Sequence, residues 1–186
     1  MNRLHHWYCR SAHWRRTLER TLPWVLAGVP LGDHVLELGP GPGLVTPMLA
    51  ARTTRVTVID CDLAAVAALR GHQASHVGIV GGDATDLPFA AGTFSAVVAF
   101  TMLHHISTVA LQCRVFREVA RVLRAGGVFV GVDVRSSLGL WLIHCGDTWR
   151  PLAPETVGPH LAAAGFLEIA IDVRPGYFRF FGHSHT

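Results

Sequence analysis

Between Val35 and Gly43 the chain reads Val-Leu-Glu-Leu-Gly-Pro-Gly-Pro-Gly, a short apolar strand running directly into a glycine-rich turn. The chain must turn sharply there and enter a helix over residues 44–52, whose Pro47 falls in the early turns, where a missing N–H is tolerated. Glycines at 39, 41 and 43 permit positive φ and let a ligand approach bare backbone. The spacing is G-x-G-x-G, without the second spacer of the dinucleotide fingerprint G-x-G-x-x-G. The chain has no Lys, so a nucleotide-binding P-loop with its lysine is excluded.

Around this turn, short β-rich runs alternate with helical patterns. Residues 11–27 predict a helix with Trp14, Leu18, Leu22 and Val25/Leu26 on one face, interrupted near Pro23. Residues 55–59 predict a second strand, 62–70 an Ala/Leu-rich helix closed by Gly71, and 76–80 a third strand. Residues 94–100 predict a fourth strand. Ser107 or Thr108 can cap a long helix reaching Arg124 and stopped by Gly126 or Gly127, with Leu111, Val115, Val119, Val122 and Leu123 along one face. Residues 127–134 form a continuous apolar run suited to a strand buried on both faces. Residues 136–153 read as irregular and aromatic, and 154–164 as a helix. Residues 167–174 and 177–182 form a hairpin through Pro175-Gly176. Such alternation predicts an α/β fold, a parallel sheet with helices on both faces, to which the hairpin adds one antiparallel strand at the edge.

Composition narrows the class. At 186 residues and 50% apolar, the chain has the makings of one full-sized domain. No apolar run approaches the ~18 residues of a membrane span. The Arg-rich first 25 residues have no apolar stretch behind them, so neither a membrane nor a signal peptide is expected. A net charge of +3 is too weak and too scattered for a nucleic-acid groove. Cysteines at 9, 61, 113 and 145 show neither metal-ligand nor disulfide-framework spacing, which fits reduced thiols in the cytoplasm. The twelve histidines include the pairs His5-His6 and His104-His105, but none stands at ligand spacing with a Cys or carboxylate, and no metal site is expected.

Candidate ligand-binding residues follow the strands. Asp60, at the end of the second strand, is placed to accept hydrogen bonds from a ribose diol, while Asp62 suits a helix cap. Asp83, in Gly81-Gly82-Asp83-Ala84 after the third strand, suits an exocyclic amino group such as N6 of adenine. Phe100-Thr-Met-Leu-His-His-Ile106 places two imidazoles at the mouth of the fourth strand.

Four ordered segments together resemble the class I S-adenosylmethionine-dependent methyltransferases, in particular the small-molecule group called methyltransferase type 11. They are VLELGPGPG, VTVIDCD, GDATDLPF with FSAVVAFTMLHHI, and REVARVLRAGGVFV, spanning about Asp33 to Asp133. The resemblance implies a Rossmann-like seven-stranded sheet of order 3-2-1-4-5-7-6 with strand 7 antiparallel. It implies one domain over 1–186: a helical cap at 1–30, a cofactor-binding core at 33–135, an acceptor-side segment at 136–153, and a terminal helix and hairpin at 154–186.

Residue by residue, the resemblance implies that Glu37 lies near the amino-acid end of S-adenosylmethionine. Gly39, Pro40, Gly41 and Gly43 form the loop against its methionine and ribose, and Asp60 binds the ribose. Cys61 packs at the adenine edge, Asp83 accepts from adenine N6, and the Ala84 N–H lies near the ring. Phe100 and Thr101 offer a backbone carbonyl to the cofactor ammonium. His105 matches a position near the acceptor, and His104 and His105 are the candidate general bases. Two further segments would line the acceptor side: His5-His-Trp-Tyr8 with His13 and Trp14, and 138–149 with Trp141, His144 and Asp147.

Methyl transfer from a sulfonium needs alignment and exclusion of water more than an elaborate catalytic constellation. The expected partner is a small-molecule acceptor, with the short caps leaving the pocket open or completed by a second subunit as a homodimer. The fourth-strand end lacks the Asn/Asp-Pro-Pro-aromatic run of nucleic-acid amino methylases, and Asp133 and Asp147 alone do not make a carboxylate metal site. A non-catalytic S-adenosylmethionine-binding module and an NAD(P)-binding oxidoreductase remain as alternatives. The glycine spacing and the terminal hairpin argue against the oxidoreductase.

Overall fold

The structure is a computed structural model that describes residues 7–70 and 74–185. Helix α1 (Ala12–Val25) leads into β1 (His34–Leu38), α2 (Thr46–Ala50), β2 (Arg55–Asp60), α3 (Leu63–Leu69) and β3 (Val77–Gly81). There follow β4 (Phe94–Phe100), a 3₁₀ turn (Leu103–His105), α4 (Val109–Val122), β5 (Leu123–Val134), α5 (Leu138–Ile143), α6 (Pro154–Ala163), β6 (Phe166–Arg174) and β7 (Tyr177–Ser184). The seven strands form one sheet of order β3-β2-β1-β4-β5-β7-β6. β1 to β5 run parallel, and β7 lies antiparallel to both β5 and β6. This is the sheet order that the resemblance implies; the hairpin forms the edge, but the antiparallel strand β7 is its inner member and β6 is outermost, because β7 pairs with β5.

The central strands divide two apolar layers. On β4, Val97 and Ala99 face a cluster with Val115, Phe116 and Val119 of α4 and with Phe129, Phe166, Phe178 and Phe180. Ala96, Val98 and Phe100 face the opposite cluster, which holds Trp14, Leu18, Leu22 and Val25 of α1. Period-two alternation therefore sends each face of one strand into a different layer, which is why β4 has no polar face in the sequence. Each fully buried Phe contributes roughly 1.5–3 kcal/mol.

Two helices differ from expectation for local reasons. α1 runs through Pro23 without a break, because Pro23 lies in the last turn and deprives only the carbonyl of exposed Glu19 of its helical donor. α4 stops at Val122, before Gly126. The Gly92 and Thr93 N–H groups donate to the Arg121 and Val122 carbonyls at 3.0 and 2.8 Å, so a neighbouring loop caps the helix and a glycine is not needed. Leu123 then pairs with Phe94, and the register shifts before β5 continues beside Ala96. Part of the segment expected to be irregular is helical: Ser137 accepts from the Leu140 N–H and starts α5. Thr108 caps α4 as anticipated. Gly71, His5 and His6 lie outside the described residues.

A clasp fixes α1 to the antiparallel edge. The Trp24 indole N–H donates to Asp172 at 2.8 Å, Arg174 sits over the Trp24 ring at 4.3 Å, and the Arg179 guanidinium donates to the Trp24 carbonyl.

The packing of β5 against β7 leaves no slack at Gly131. A Cβ there would stand 2.3 Å from the tip of the Phe180 ring, which is itself fully buried among Phe116, Phe129 and Phe178. Gly131→Ala is expected to lower stability by about 1–3 kcal/mol in urea unfolding, the range typical of an overpacked core.

Candidate functional site

The in-register parallel pairing of β1, β2, β3 and β4 brings their C-terminal ends to one edge. Leu38 lies beside Ile59 and Ala99, and Asp60 beside Gly81. The sheet order reverses direction between β1 and β4, the point at which open α/β sheets hold ligands outside their strand ends.

The glycine loop forms one wall. Gly39, Gly41 and Gly43 have φ of 61°, 52° and 73°, a region costly for other residues. The Gly39 N–H donates to Ile59 O and the Gly43 N–H to Pro40 O, both at 2.9 Å, so the loop folds back on β2 and on itself. Pro40 is buried. A Cβ on Gly39 would stand 3.0 Å from the Met102 Cβ, while one on Gly41 would meet nothing within 4 Å. The loop therefore leaves open space beside the Gly41 backbone.

Three acidic positions stand at or just after the ends of β1, β2 and β3. Glu37 on β1 is 1% exposed, and the Thr46 hydroxyl donates to it at 2.7 Å. Burial pushes its carboxyl up to about 7; the Thr46 hydrogen bond opposes the shift and nearby Asp60 adds to it. Asp60 accepts from the Asp62 N–H at 2.9 Å and faces the Gly41 N–H at 3.4 Å, so it fixes its own turn and leans toward the loop. Asp62, not Asp60, caps α3, donated to by Ala64 and Ala65. Asp83 is exposed and accepts from the Thr85 N–H at 2.8 Å, with Ala84 half-buried beside it. Cys61 lies at the surface between them. Partial burial, then the Asp60 and Asp83 carboxylates, push its thiol up, so it remains protonated near neutrality.

The mouth of β4 forms the facing wall. Phe100 closes the strand and is buried. Thr101 adopts φ of 47°, rare for a non-glycine residue, and its N–H is anchored on Val132 O at 2.8 Å. Such strain of about 1–3 kcal/mol is held only by surrounding structure. Met102 touches the glycine loop, and the 3₁₀ turn then carries His104 and His105.

The structure brings further residues to this region. Buried Asp133, on β5, accepts from His104 Nδ1 at 2.6 Å. His144 follows α5, and Trp149 packs on His104 and His144 at ring distances of 5.0 and 4.1 Å. Gln112 of α4 donates to the carbonyls of Leu103 and Arg150, and the Arg150 N–H donates to His104 O at 2.7 Å. Among the acceptor-side candidates of the N-terminal segment, Trp14 belongs to the core, whereas Trp7 is exposed. Trp141 is also exposed.

The REVAR motif has a concrete task. Glu118 accepts from the Leu87 N–H at 2.9 Å, and Arg121 donates to the carbonyls of Leu87 and Phe89 at 2.9 and 2.7 Å. The two side chains also bond to each other, which holds Glu118 ionised and clamps the loop that starts at Asp83.

A profile described as a methyltransferase domain matches residues 36–131. The ubiquinone/menaquinone biosynthesis C-methyltransferase UbiE of Rubrivivax gelatinosus is 30% identical over 131 residues, covering 69% of this chain and 48% of its own length. The ribosomal RNA small subunit methyltransferase A of Myxococcus xanthus is 38% identical over 95 residues, covering 50% and 33%. The chain thus spans about half or less of the length of the curated relatives it matches. Among solved structures, the complex between the Haloferax volcanii Trm112 methyltransferase activator and a candidate methyltransferase gives a TM-score of 0.77 at 18% identity, over 100% of this chain and 99% of the other. At that identity the likeness speaks for the fold. With the domain profile matching more than half of its residues across the glycine loop and the β4 mouth, the chain belongs to the class I S-adenosylmethionine-dependent methyltransferases.

Proposed function

We propose that the chain is the catalytic domain of a methyltransferase that uses S-adenosylmethionine to methylate a small-molecule acceptor by in-line displacement. The observation that carries this reading is the open backbone at Gly41 facing Asp60, with buried Glu37 beneath the same loop. In this reading Gly39, Pro40, Gly41 and Gly43 lie against the methionine and ribose, and Asp60 accepts from the ribose hydroxyls. Asp83 accepts from the adenine amino group, with Cys61 and the Ala84 N–H at the ring edge. Glu37 and the backbone at Phe100 and Thr101 receive the ammonium group. When bound, the cofactor supplies a methyl already activated by positive sulfur. The protein holds the two reactants in line and keeps water out. His104 and His105 stand at the strand mouth where the acceptor's proton has to leave. His104, held by Asp133, is the more rigid of the two.

A small acceptor is favoured over nucleic acid by the apolar Phe100-Thr101-Met102-Leu103 run at the β4 mouth. It offers no Asn/Asp-Pro-Pro-aromatic platform for a flipped base. By its name the Myxococcus relative acts on ribosomal RNA, so the family label alone does not select the acceptor. Trp149 and the histidine rings suit a planar or ring-bearing acceptor.

Calorimetric titration with S-adenosylhomocysteine is expected to show micromolar binding to the wild type and at least tenfold weaker binding to Asp60→Ala. No response to NAD is expected. A folded wild type that takes NAD and not S-adenosylhomocysteine would return the chain to the oxidoreductase reading. Binding without turnover across an acceptor panel would leave a non-catalytic module.

Glu37 generates a separate expectation. Its carboxyl titrates at about 7 in the fold and at 4.5 ordinarily, so between these values the folded state holds the proton that the unfolded state has lost. Stability therefore falls as pH rises through that window, by an amount on the order of 3 kcal/mol once both states are ionised. Glu37→Gln should be more stable than wild type in urea at pH 8, with the gain disappearing at pH 4. The same variant should bind S-adenosylhomocysteine more weakly.

A further inference from the structure

His104 has one ring nitrogen fully accounted for and one that is not. Its Nδ1 lies 2.6 Å from Asp133 Oδ1, and its backbone N–H donates to Oδ2 at 3.2 Å. The Val134 N–H donates to Oδ1 at 2.7 Å. A carboxylate with these contacts accepts, so Nδ1 carries the proton. Nε2 points away from β5. It is buried on a side chain only 3% exposed and has no hydrogen-bond partner among the described residues. An orphaned buried nitrogen of this kind is costly to the fold unless something meets it.

Around the ring stand the Trp149 indole and two more imidazoles. His105 is its neighbour in the 3₁₀ turn, with ring centroids 4.3 Å apart, and His144 arrives from the far side of α5, with centroids 5.1 Å apart. His144 Nδ1 lies 2.7 Å from Leu140 O, a carbonyl that only accepts, so this ring too carries its proton on Nδ1 when neutral. One ring nitrogen from each of the three histidines lies within 4.8 Å of the others. Stacking alone would account for the rings meeting. It would not account for a carboxylate holding one of them from behind while its second nitrogen stays unmet.

A carboxylate behind one imidazole and a carbonyl behind another are the outer contacts that orient metal-binding histidines. Three imidazole nitrogens suit zinc, copper or nickel and not the oxygen-seeking magnesium or calcium. Three protein ligands leave a fourth tetrahedral position open. Zinc–nitrogen bonds of about 2.0–2.1 Å would bring the nitrogens roughly 3.4 Å apart, so the rings close inward by about an ångström on binding.

We propose that His104, His105 and His144 bind one divalent transition-metal ion of the zinc class, positioned by Asp133, and that its open position receives a hydroxyl or thiol of the methyl acceptor. The site itself is independent of the methyl-transfer reading; the role at the acceptor rests on it. With the ion bound, the His104 and His105 nitrogens are ligands rather than proton acceptors; the ion lowers the acceptor's pKa, and the acceptor's proton goes to solvent. The acceptor oxygen or sulfur then forms its bond to the methyl carbon as the carbon–sulfonium bond breaks. That bonding pair stays on sulfur, giving the neutral thioether.

The test uses the full chain, stripped with a chelator and titrated with Co²⁺ as a spectroscopic probe and Zn²⁺ by calorimetry. One ion per chain is expected, with visible bands of tetrahedral cobalt and no thiolate charge-transfer band, which sets the site apart from the cysteines. His144→Ala should weaken binding at least tenfold, and Asp133→Asn by about 10- to 100-fold. His183→Ala, on β7, should change nothing. Adding 2-mercaptoethanol to the cobalt form should produce the charge-transfer band as sulfur enters the open position. Absence of metal binding by folded wild type, or binding unchanged in His144→Ala, overturns the site. Metal binding without the thiol response overturns the acceptor role. S-adenosylhomocysteine binding, measured on the same samples, reports separately on the methyl-transfer reading.

Discussion

β1 hydrogen-bonds in parallel to β2 on one side and to β4 on the other, with Leu38 level with Ile59 and with Ala99. The strands can end together only because that register holds, and the glycine loop and the β4 end lie at one edge only because they end together. The register in turn depends on burial of both faces. Shifting β4 by one residue would exchange Val97 and Ala99 with Ala96 and Val98 between two differently shaped apolar layers. Glu37 is a carboxyl in a wholly buried strand, as Asp133 is on β5, and its raised pKa records the cost of placing it there.

Much of this was legible in the sequence because it is written in local terms. The glycine loop, the acidic residues at strand ends, the cap at Thr108 and the terminal hairpin each depend on a few consecutive residues. Asp60 lies within electrostatic reach of Glu37, and Asp60 and Asp83 within reach of Cys61, which their places at or after the ends of neighbouring strands make possible. Boundaries set by distant backbone were not legible: nothing near Val122 says that Gly92 and Thr93 will cap its helix. The helix at Leu138–Ile143 was hidden for another reason. Its six residues are too few to show a periodicity, and its cap at Ser137 becomes visible only in the fold.

The imidazole cluster marks the same boundary more sharply. His104-His105 drew attention as a pair, and His144 as one of several polar and aromatic residues in a later segment. The expectation of no metal site rested on spacing along the chain. The fold replaces that spacing with one of its own, through Asp133 on the adjoining strand and the Gln112 and Arg150 contacts that draw the later segment against the turn. Glu118 and Arg121 tell a parallel story. Their i, i+3 relation on a helix could be read, but not that the pair grips the backbone at Leu87 and Phe89.

Gln112 joins two parts of the molecule with different constraints. Its amide donates to Leu103 O just after β4 and to Arg150 O in the segment that follows α5. The half of the chain around the glycine loop is woven into the sheet strand by strand, whereas the segment after β5 is hung from α4 and the 3₁₀ turn by contacts near its C-terminal end. A lineage could therefore rewrite residues between those attachment points, changing their length and chemistry, without re-solving the packing of the sheet. The two halves of such an enzyme can evolve at different speeds, and a single glutamine in the first constrains where the second must land.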